Sequence, residues 1–317
     1  MAFEIPKIAY DGVIRAIPLG KEPNRLMVGG ETSYPFHLFE GDLPHPPKIA
    51  MEVYDAPPKD WPEAALAPFA DVVNDPAAWS KECVESHGAE IVALQLASTD
   101  PNDQDTPAEQ AVEVTKKVLA SIQVPLIVWG TANPEKDAEV LKMVAEACEG
   151  ENLIIGPVEE STHKAIGAAA IAYKHTIAAS SPIDINLAKQ LNILLGNLGV
   201  TDERILVDPT VASLGYGLEY SYSVMERDRM AALTQEDDKL QFPIVCDLAK
   251  EVWKTKEAKL SEEEAPLLGD PLKRGILLEA MTALLLLLAG GDILIMRHPD
   301  AIQLVRGLIQ DLISEKR

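Results

Sequence analysis

The chain has 317 residues, 47% of them hydrophobic and 25% charged, which is enough for one large α/β domain or two ordinary ones. Its formal net charge of -22 argues against nucleic acid or an anionic membrane as a partner, because both are bound by clustered basic side chains. The N-terminus lacks a basic region followed by an apolar core, and the longest apolar run, residues 283–289, is too short to span a bilayer, so we expect a cytoplasmic protein.

The first predicted element is an antiparallel hairpin. Residues 13–18 and 25–28 alternate between apolar and polar side chains around Gly29 and Gly30, a pattern typical of two short paired strands. This segment does not belong to the pattern that fills the rest of the chain. We therefore predict an N-terminal hairpin extension at residues 1–46 and a second unit at residues 47–317.

From Lys48 onward, short apolar runs alternate with amphipathic helical patterns. The runs predict eight strands, at residues 49–54, 91–96, 126–129, 153–156, 176–179, 205–207, 243–246 and 293–296. Their starts lie roughly 25 to 50 residues apart, the size of a βα unit. No run reads as a polar edge strand, so the pattern favours an α/β fold closed into a (β/α)8 TIM barrel over an open doubly wound sheet. The longest insertion, residues 250–269, is rich in charge and is expected to form a solvated face.

The predicted helix starts are marked by a capping residue followed by proline, which loses nothing at the first helical position. These pairs are Asp75-Pro76, Thr106-Pro107, Asn133-Pro134, Ser181-Pro182, Asp270-Pro271 and His298-Pro299. Thr106 and Glu109 also have the spacing of a capping box. These pairs predict where six helices begin.

Polar residues follow all eight predicted strands. Because the C-terminal ends of the strands of a barrel meet on one face, these residues are expected to form one polar mouth. They are Asp55, Ser98, Thr99, Thr131, Glu159, Glu160, Ser180, Ser181, Asp184, Asn186, Asp208, Thr210, Asp247, Arg297 and His298. Single members also have simpler interpretations, since Asp184 or Ser181 fits a helix cap and Asp208 fits a brace for the following loop.

The loop after the sixth strand is the most distinctive part of this mouth. It combines Gly215 and Gly217, which allow close backbone approach, with the amphipathic rings of Tyr216 and Tyr220. We expect this loop to contact a ligand. The alternative is that it only braces the sixth helix.

The sequence shows no catalytic motif of the nucleophile-elbow, phosphate-loop, dinucleotide or zinc-protease type. His298 alone provides no acid-base mechanism. Cys83, Cys148 and Cys246 stand far apart and cannot hold a four-cysteine cluster, so we expect no iron-sulfur cluster and no metal site in this chain.

Several segments spread over nearly the whole chain together carry a family resemblance. They are residues 35–41 (PFHLFEG), 181–186 (SPIDIN), 189–192 (KQLN), 208–209 (DP), 214–220 (LGYGLEY), 225–227 (MER) and 296–299 (MRHP). With them the chain resembles the small subunit of the corrinoid iron-sulfur protein of the reductive acetyl-CoA pathway, which is also the delta subunit of archaeal acetyl-CoA decarbonylase/synthase.

The resemblance implies a (β/α)8 barrel in a heterodimer with a large subunit that carries a four-iron cluster and a corrinoid (cobalamin) domain. It implies a methyl carrier that receives its methyl group from methyltetrahydrofolate through a methyltransferase and delivers it to CO dehydrogenase/acetyl-CoA synthase. This barrel, a subunit without catalytic residues, is expected to cover the corrinoid. The residues we assign to the shared corrinoid site are Ser181, Asn186, Asp208, Thr210, Gly215, Tyr216, Gly217, Tyr220, Arg297 and His298.

Two rival interpretations remain. A pterin-dependent methyltransferase resembles the chain in its barrel and its strand-end Asp and Asn residues, which Asp208 and Asn186 fit loosely. Those enzymes typically carry a Gly-x-Ser-Asn segment after the seventh strand, whereas this chain has Cys246-Asp247-Leu248-Ala249. The other alternative is a barrel that only supports a complex and never touches the corrinoid.

Overall fold

The structure, a computed structural model, describes residues 6–314; the outermost residues of the predicted units 1–46 and 47–317 lie outside the described residues. The strands are β1 (Ile17–Leu19), β2 (Leu26–Val28), β3 (Lys48–Tyr54), β4 (Ile91–Gln95), β5 (Leu126–Trp129), β6 (Ile154–Val158), β7 (Thr176–Ser180), β8 (Ile205–Asp208), β9 (Ile244–Asp247) and β10 (Gly291–Met296). The helices are α1 (Glu63–Leu66), α2 (Pro76–Glu85), α3 (Ala108–Ser121), α4 (Pro134–Ala147), α5 (His163–Tyr173), α6 (Ile185–Leu198), α7 (Glu219–Thr234), α8 (Ala249–Trp253), α9 (Lys256–Lys259), α10 (Pro271–Leu288) and α11 (Pro299–Ser314).

The eight parallel strands β3 to β10 close into a barrel in chain order, with β10 pairing to β3, and the predicted TIM barrel with an N-terminal hairpin is confirmed. Each predicted strand overlaps an observed one. Several strands are longer than predicted, so that Ser180, Asp208 and Asp247 are the last residues of β7, β8 and β9 rather than the first residues after them.

Side chains of the barrel strands alternate between the interior and the surrounding helices, as a closed sheet requires. In β3, Ala50 belongs to the interior cluster, whereas Ile49 and Met51 pack in the larger cluster under the helices. The interior cluster also contains Ile17 and Val28 of the hairpin. The hairpin therefore closes the N-terminal end of the barrel, which leaves the opposite end as the open mouth.

The turn of this hairpin differs from the prediction. β1 and β2 pair directly, from Ile17 with Val28 to Leu19 with Leu26, so Gly29 and Gly30 come after the second strand. Both have positive φ, and a Cβ atom at Gly29 would lie 2.1 Å from the carbonyl oxygen of Arg15. These glycines let the chain turn back beneath the barrel at close range.

Four of the predicted helix caps are confirmed and two are wrong. Asp75, Asn133, Asp270 and His298 accept hydrogen bonds from backbone amides in the first turns of their helices. The Thr106 hydroxyl instead bonds to Ser98 Oγ at 2.7 Å, because the loop between β4 and α3 folds back on itself, and α3 starts at Ala108 without a side-chain cap. Asp184, not Ser181, caps α6. The cause is that Ser181 still follows the strand, its amide bonding to the Asp208 carbonyl oxygen.

A buried charged cluster holds the hairpin segment, α7 and β10 together. Arg229, 2% exposed, donates to the Asp292 carboxylate at 2.5 Å and to the carbonyl oxygens of Phe242 and Gly290. Asp292 also accepts the amide of Ile244 at 2.6 Å. Burial, and then the neighbouring Asp292 charge, raise the pKa of Glu31 well above its usual value. One arginine thus offsets three buried carboxyl groups at the closed end of the barrel, those of Asp292, Glu31 and Asp228.

Candidate functional site: the polar mouth of the barrel

The apolar interior of the barrel ends in a layer of polar side chains at the mouth. At the C-terminal ends of six strands a polar residue lies two positions beyond an interior apolar one, as the strand period of two requires. The six polar residues are Glu52, Gln95, Ser180, Asp208, Asp247 and Arg297, which follow Ala50, Ala93, Ala178, Leu206, Val245 and Ile295. The mouth is therefore built on rigid strands rather than on loops alone.

Arg297 and Glu52 form a buried ion pair in this layer. Arg297 Nε donates to Glu52 Oε2 at 2.7 Å, and the two residues are 2% and 0% exposed. The guanidinium lies over the ring of Trp61, 3.4 Å from its centroid. Glu279 of α10 fixes the backbone beneath this pair, because its carboxylate accepts the amides of Arg297 and His298. The arginine is thus held from both its side chain and its backbone.

Two aspartates of the mouth sit in environments that favour a proton. Asp208 accepts the Ser180 hydroxyl at 2.7 Å and the Thr210 amide at 2.9 Å, yet burial raises its pKa to about 6. Asp247 accepts Gln95 Nε2 at 3.0 Å, and burial, with the charge of Glu52, raises its pKa to about 7. The mouth can therefore both donate and accept hydrogen bonds at neutral pH.

Some polar atoms here lack partners. Within residues 6–314, Ser181 Oγ, Asp247 Oδ1 and Glu52 Oε1 are buried without a hydrogen bond. Buried polar atoms are almost always paired, so unpaired ones at a mouth suit a ligand that supplies the missing donors and acceptors.

These raised pKa values predict a pH dependence of stability. An unfolded aspartate titrates near 4, whereas folded Asp247 keeps its proton to about pH 7. The folded state then binds more protons, so this contribution is complete below about pH 4 and is lost as the pH rises to about 7. Asp247→Asn mimics the protonated form. Its melting temperature should exceed that of the unchanged protein by a margin that grows as the pH rises from 5 to 8. A melting-temperature difference that stays constant across this range contradicts the prediction.

A cleft of about 410 Å³ opens beside this layer, between the loops after β3, β4 and β5 and the segment that carries α8 and α9. Gln95 and Arg297 form part of its inner wall, and Tyr54 and Trp61 supply aromatic surface. Lys250, Lys254 and Lys259 line it as well, so the insertion that we expected to be only a solvated face contributes to the mouth.

The ten residues assigned from sequence fall into three groups. Ser181, Asp208 and Thr210 lie together at the ends of β7 and β8. Arg297 lines the cleft, whereas His298 is buried, stacks on Trp253 at 5.9 Å and accepts the Asp300 amide. The remaining five are on the rim: Asn186, Gly215, Tyr216, Gly217 and Tyr220.

The loop between β8 and α7, residues 209–218, is called the rim loop. Its features fit both interpretations given from sequence, contact with a ligand and bracing of the following helix. Ser213 Oγ and Ser221 Oγ are 2.7 Å apart, which ties the loop to the first turn of α7. Tyr216 nevertheless is 93% exposed and Tyr220 58% exposed. A Cβ atom at Gly217 would lie 2.5 Å from the Glu219 carboxylate, while one at Gly215 would meet open space. The loop is anchored at its base and presents its rings outward.

Glu52, Gln95 and the insertion lysines were missed from sequence. Glu52 and Gln95 lie inside apolar runs, and counting alternate positions from Ala50 and Ala93 would have placed both at the mouth. Cys83, Cys148 and Cys246 are buried free thiols. Among residues 6–314, no three His, Cys, Asp or Glu side chains are grouped as metal ligands. None of the helices in this range is long and apolar enough to cross a membrane.

The fold is shared with dihydropteroate synthases. Dihydropteroate synthase of Xanthomonas albilineans superposes with a TM-score of 0.58 at 14% identity, covering 96% of this chain and all of the other. The Yersinia pestis enzyme also gives 0.58 at 14% identity, with 86% and 95% covered. At such identities the likeness shows the fold alone. The fold and the mouth together define the class of the protein. It is a (β/α)8 barrel whose mouth is lined by polar side chains suited to a ligand.

Sequence comparison narrows this class to one family. Residues 16–310 match the family described as CO dehydrogenase/acetyl-CoA synthase delta subunit. The acetyl-CoA decarbonylase/synthase complex subunit delta of Archaeoglobus fulgidus is 37% identical over 98% of this chain and 71% of its own length. That of Methanopyrus kandleri is 36% identical over 90% and 70%. The chain belongs to this delta subunit family, which confirms the resemblance found in its motifs.

Proposed function

We propose that this barrel is the small subunit of a heterodimeric corrinoid methyl carrier and covers a corrinoid held by a large iron-sulfur subunit. The carrier receives a methyl group from methyltetrahydrofolate through a methyltransferase and delivers it to CO dehydrogenase/acetyl-CoA synthase in the cytoplasm. The observation that carries the proposal is the polar mouth with its unpaired buried atoms, in a chain of the delta subunit family. The corrinoid's cobalt supplies the methyl-carrying chemistry.

The residues of the mouth fit the edge of a corrinoid. A corrin ring carries amide side chains, which both donate and accept hydrogen bonds. Ser181 Oγ and Asp247 Oδ1 are buried and unpaired within the described chain and would bond to such amides. Tyr216 and Tyr220 would lie over the periphery of the ring. This chain binds and orients the ligand and keeps water away from it, and no residue is assigned a catalytic step.

A partner surface is available on α10. From residue 275 to residue 289 the only charged residue is Glu279, which is buried. Leu277, Met281, Leu285 and Leu288 are 38–62% exposed and follow one another at spacings of four, four and three, so they form a single helix face. We call this face the α10 stripe. An apolar face of this kind is typical of a subunit interface, and we assign it to the large subunit.

The proposal is tested by purifying the chain alone and with the large subunit. We expect corrinoid absorbance to be retained in the complex, and the chain alone to bind neither iron nor methyltetrahydrofolate. If the corrinoid is held equally well without the barrel, the chain serves only as a support in the complex.

Tyr216→Ala isolates the contribution of the rim loop. Because the ring is 93% exposed, its removal should leave the melting temperature unchanged. Loss of one aromatic contact should weaken corrinoid retention by the complex roughly two- to tenfold, as measured by dialysis and absorbance. Phe39→Ala, an exposed aromatic residue of the N-terminal segment, is the control and should have no effect. Equal retention in both variants would show that the loop only braces α7.

A pterin-dependent methyltransferase is the second candidate. The observation in its favour is Asp208, a buried carboxyl with a pKa of about 6 at the end of β8, which suits an amide-bearing heterocycle. The solved relatives of this fold include a dihydropteroate synthase in complex with pteroic acid, from Coxiella burnetii. Tight binding of methyltetrahydrofolate to the chain alone, abolished by Asp208→Asn, would favour this candidate over the first.

A further inference from the structure

The guanidinium of Arg297 is only partly satisfied within the protein. Its Nε donates to Glu52 Oε2, but among residues 6–314 its two terminal nitrogens have no hydrogen-bond partner. The residue is 2% exposed, and the surface it retains lines the cleft. Four N–H donors in a fixed planar arrangement therefore remain available to a ligand. This is the geometry that binds a carboxylate or a phosphate through two parallel hydrogen bonds.

Basic side chains are concentrated in the lining of the cleft. The whole protein has 28 basic and 50 acidic side chains, but the cleft is lined by five basic and three acidic ones. Lys59 and Lys254 have acidic partners, in Asp103 and Glu251. Lys250 and Lys259 form no ion pair within the described residues, so their charges are available at the rim. Within the described chain, two unpaired ammonium groups at the rim and the free terminal nitrogens of Arg297 together attract small anions.

From these two observations we propose that the cleft around Arg297 is an anion site that takes a phosphate or carboxylate group carried by the ligand of the mouth. The identity of that ligand rests on the proposed function. The existence of the anion site does not. The cleft volume of about 410 Å³ suits such a group with its nearest atoms and is too small for a whole corrinoid. Only an extremity of the ligand enters.

The position of the cleft agrees with a large ligand. In the closed ring of strands, β4 and β8 lie opposite each other. The cleft lies above β4, where Gln95 ends the strand, and the rim loop with Tyr216 follows β8. A flat ligand lying across the mouth under Tyr216 would reach the cleft with a substituent on its far side. In cobalamins the negatively charged substituent is the phosphodiester of the nucleotide loop, and in folates it is the glutamate carboxylates.

The site is tested first on the chain alone, with inorganic phosphate as the probe in a calorimetric titration. We expect saturable binding that Lys250→Gln weakens roughly two- to fivefold. Lys117→Gln is the matched control, since it removes the same charge from an exposed position on α3 outside the cleft. Absence of saturable binding, or equal weakening by both variants, overturns the proposal.

Arg297 is tested together with its partner, because its removal alone would leave Glu52 charged and buried. The pair Glu52→Gln with Arg297→Gln replaces both charges by amides and should weaken phosphate binding roughly tenfold or more. Glu52→Gln alone keeps the guanidinium and should bind phosphate at least as well as the unchanged chain. If the double variant binds like the single one, Arg297 is not the anion ligand.

The source of the anion is decided in the complex with the large subunit. Cobinamide lacks the nucleotide loop, so a preference for cobalamin over cobinamide that disappears in the double variant assigns the phosphodiester. A preference of methyltetrahydrofolate over its form without glutamate, lost in the same variant, assigns the carboxylates. If neither preference depends on Arg297, the cleft does not serve the ligand of the mouth. That result would leave corrinoid retention by the complex, and with it the proposed function, intact.

Discussion

Arg229→Met should lower the free energy of unfolding by about 3–5 kcal/mol, because it leaves buried carboxyl groups without their compensating charge. In the folded protein Arg229 is 2% exposed and donates to Asp292 and to two carbonyl oxygens. Glu31, whose pKa is already raised by burial and by Asp292, lies against the same pair. Denaturant unfolding followed by circular dichroism measures the loss.

The control lies two residues away on the same helix. Arg227 is exposed, and within residues 6–314 its side chain makes a single hydrogen bond, to the Ser223 carbonyl oxygen, so Arg227→Met should cost about 0.5 kcal/mol or less. The loss of unfolding free energy in Arg229→Met should also become smaller at low pH, where the buried carboxyl groups left without Arg229 take up protons. Comparable losses in the two variants would show that the cluster does not stabilise the closed end of the barrel.

Met281→Glu combined with Leu285→Glu should abolish association with the large subunit. Both side chains lie in the middle of the α10 stripe, at 62% and 40% exposure. Two unpaired carboxylates in an apolar contact must be desolvated at a cost of several kcal/mol each, and since about 1.4 kcal/mol is a tenfold change, the affinity should fall by several orders of magnitude. Size-exclusion chromatography with light scattering should show two separate proteins where the unchanged pair elutes as one complex.

An exposed apolar residue elsewhere gives the matched control. Ile193 of α6 is 38% exposed and stands apart from the α10 stripe, so Ile193→Glu should leave the complex unchanged. The double α10 variant should itself remain folded, because both positions already face solvent. A complex that forms normally with both glutamates would show that the large subunit docks on another face.

The barrel could be predicted because strands buried on both faces are continuous apolar runs, and eight of them are separated by helical patterns. Helix starts were predicted well where the cap acts within its own turn, as at Asp75 and Asn133. They failed where an earlier residue of the same loop takes the capping group, as at Thr106, whose hydroxyl bonds to Ser98 in the connection between β4 and α3. A cap within the first helical turn can be recognised from sequence, whereas a competing hydrogen bond inside the preceding loop cannot, because it depends on how that loop folds.

The sequence predicts which residues lie at the strand ends of the mouth, but not what each side chain contacts there. Arg297 and His298 are adjacent in sequence, yet the first lines the cleft and the second stacks on Trp253, with burial lowering the pKa of its imidazole. Which of two neighbours faces the mouth depends on alternation at the end of β10. The charge of the cleft depends on α8 and α9 folding over it, and no local pattern encodes that contact.

The hairpin that closes the barrel also sets a problem of timing during protein synthesis. Ile17, Leu19 and Val28 leave the ribosome early, but their segment is tied to residues made much later, as in the hydrogen bond from Arg15 to Gln241, 226 residues further on. At about 5–20 residues per second, that interval is roughly 10–45 s. Throughout it, three side chains that end up fully buried lack the completed barrel interior against which they pack. A chaperone that shields the nascent N-terminal segment should therefore raise the yield of folded protein more than one that acts after release.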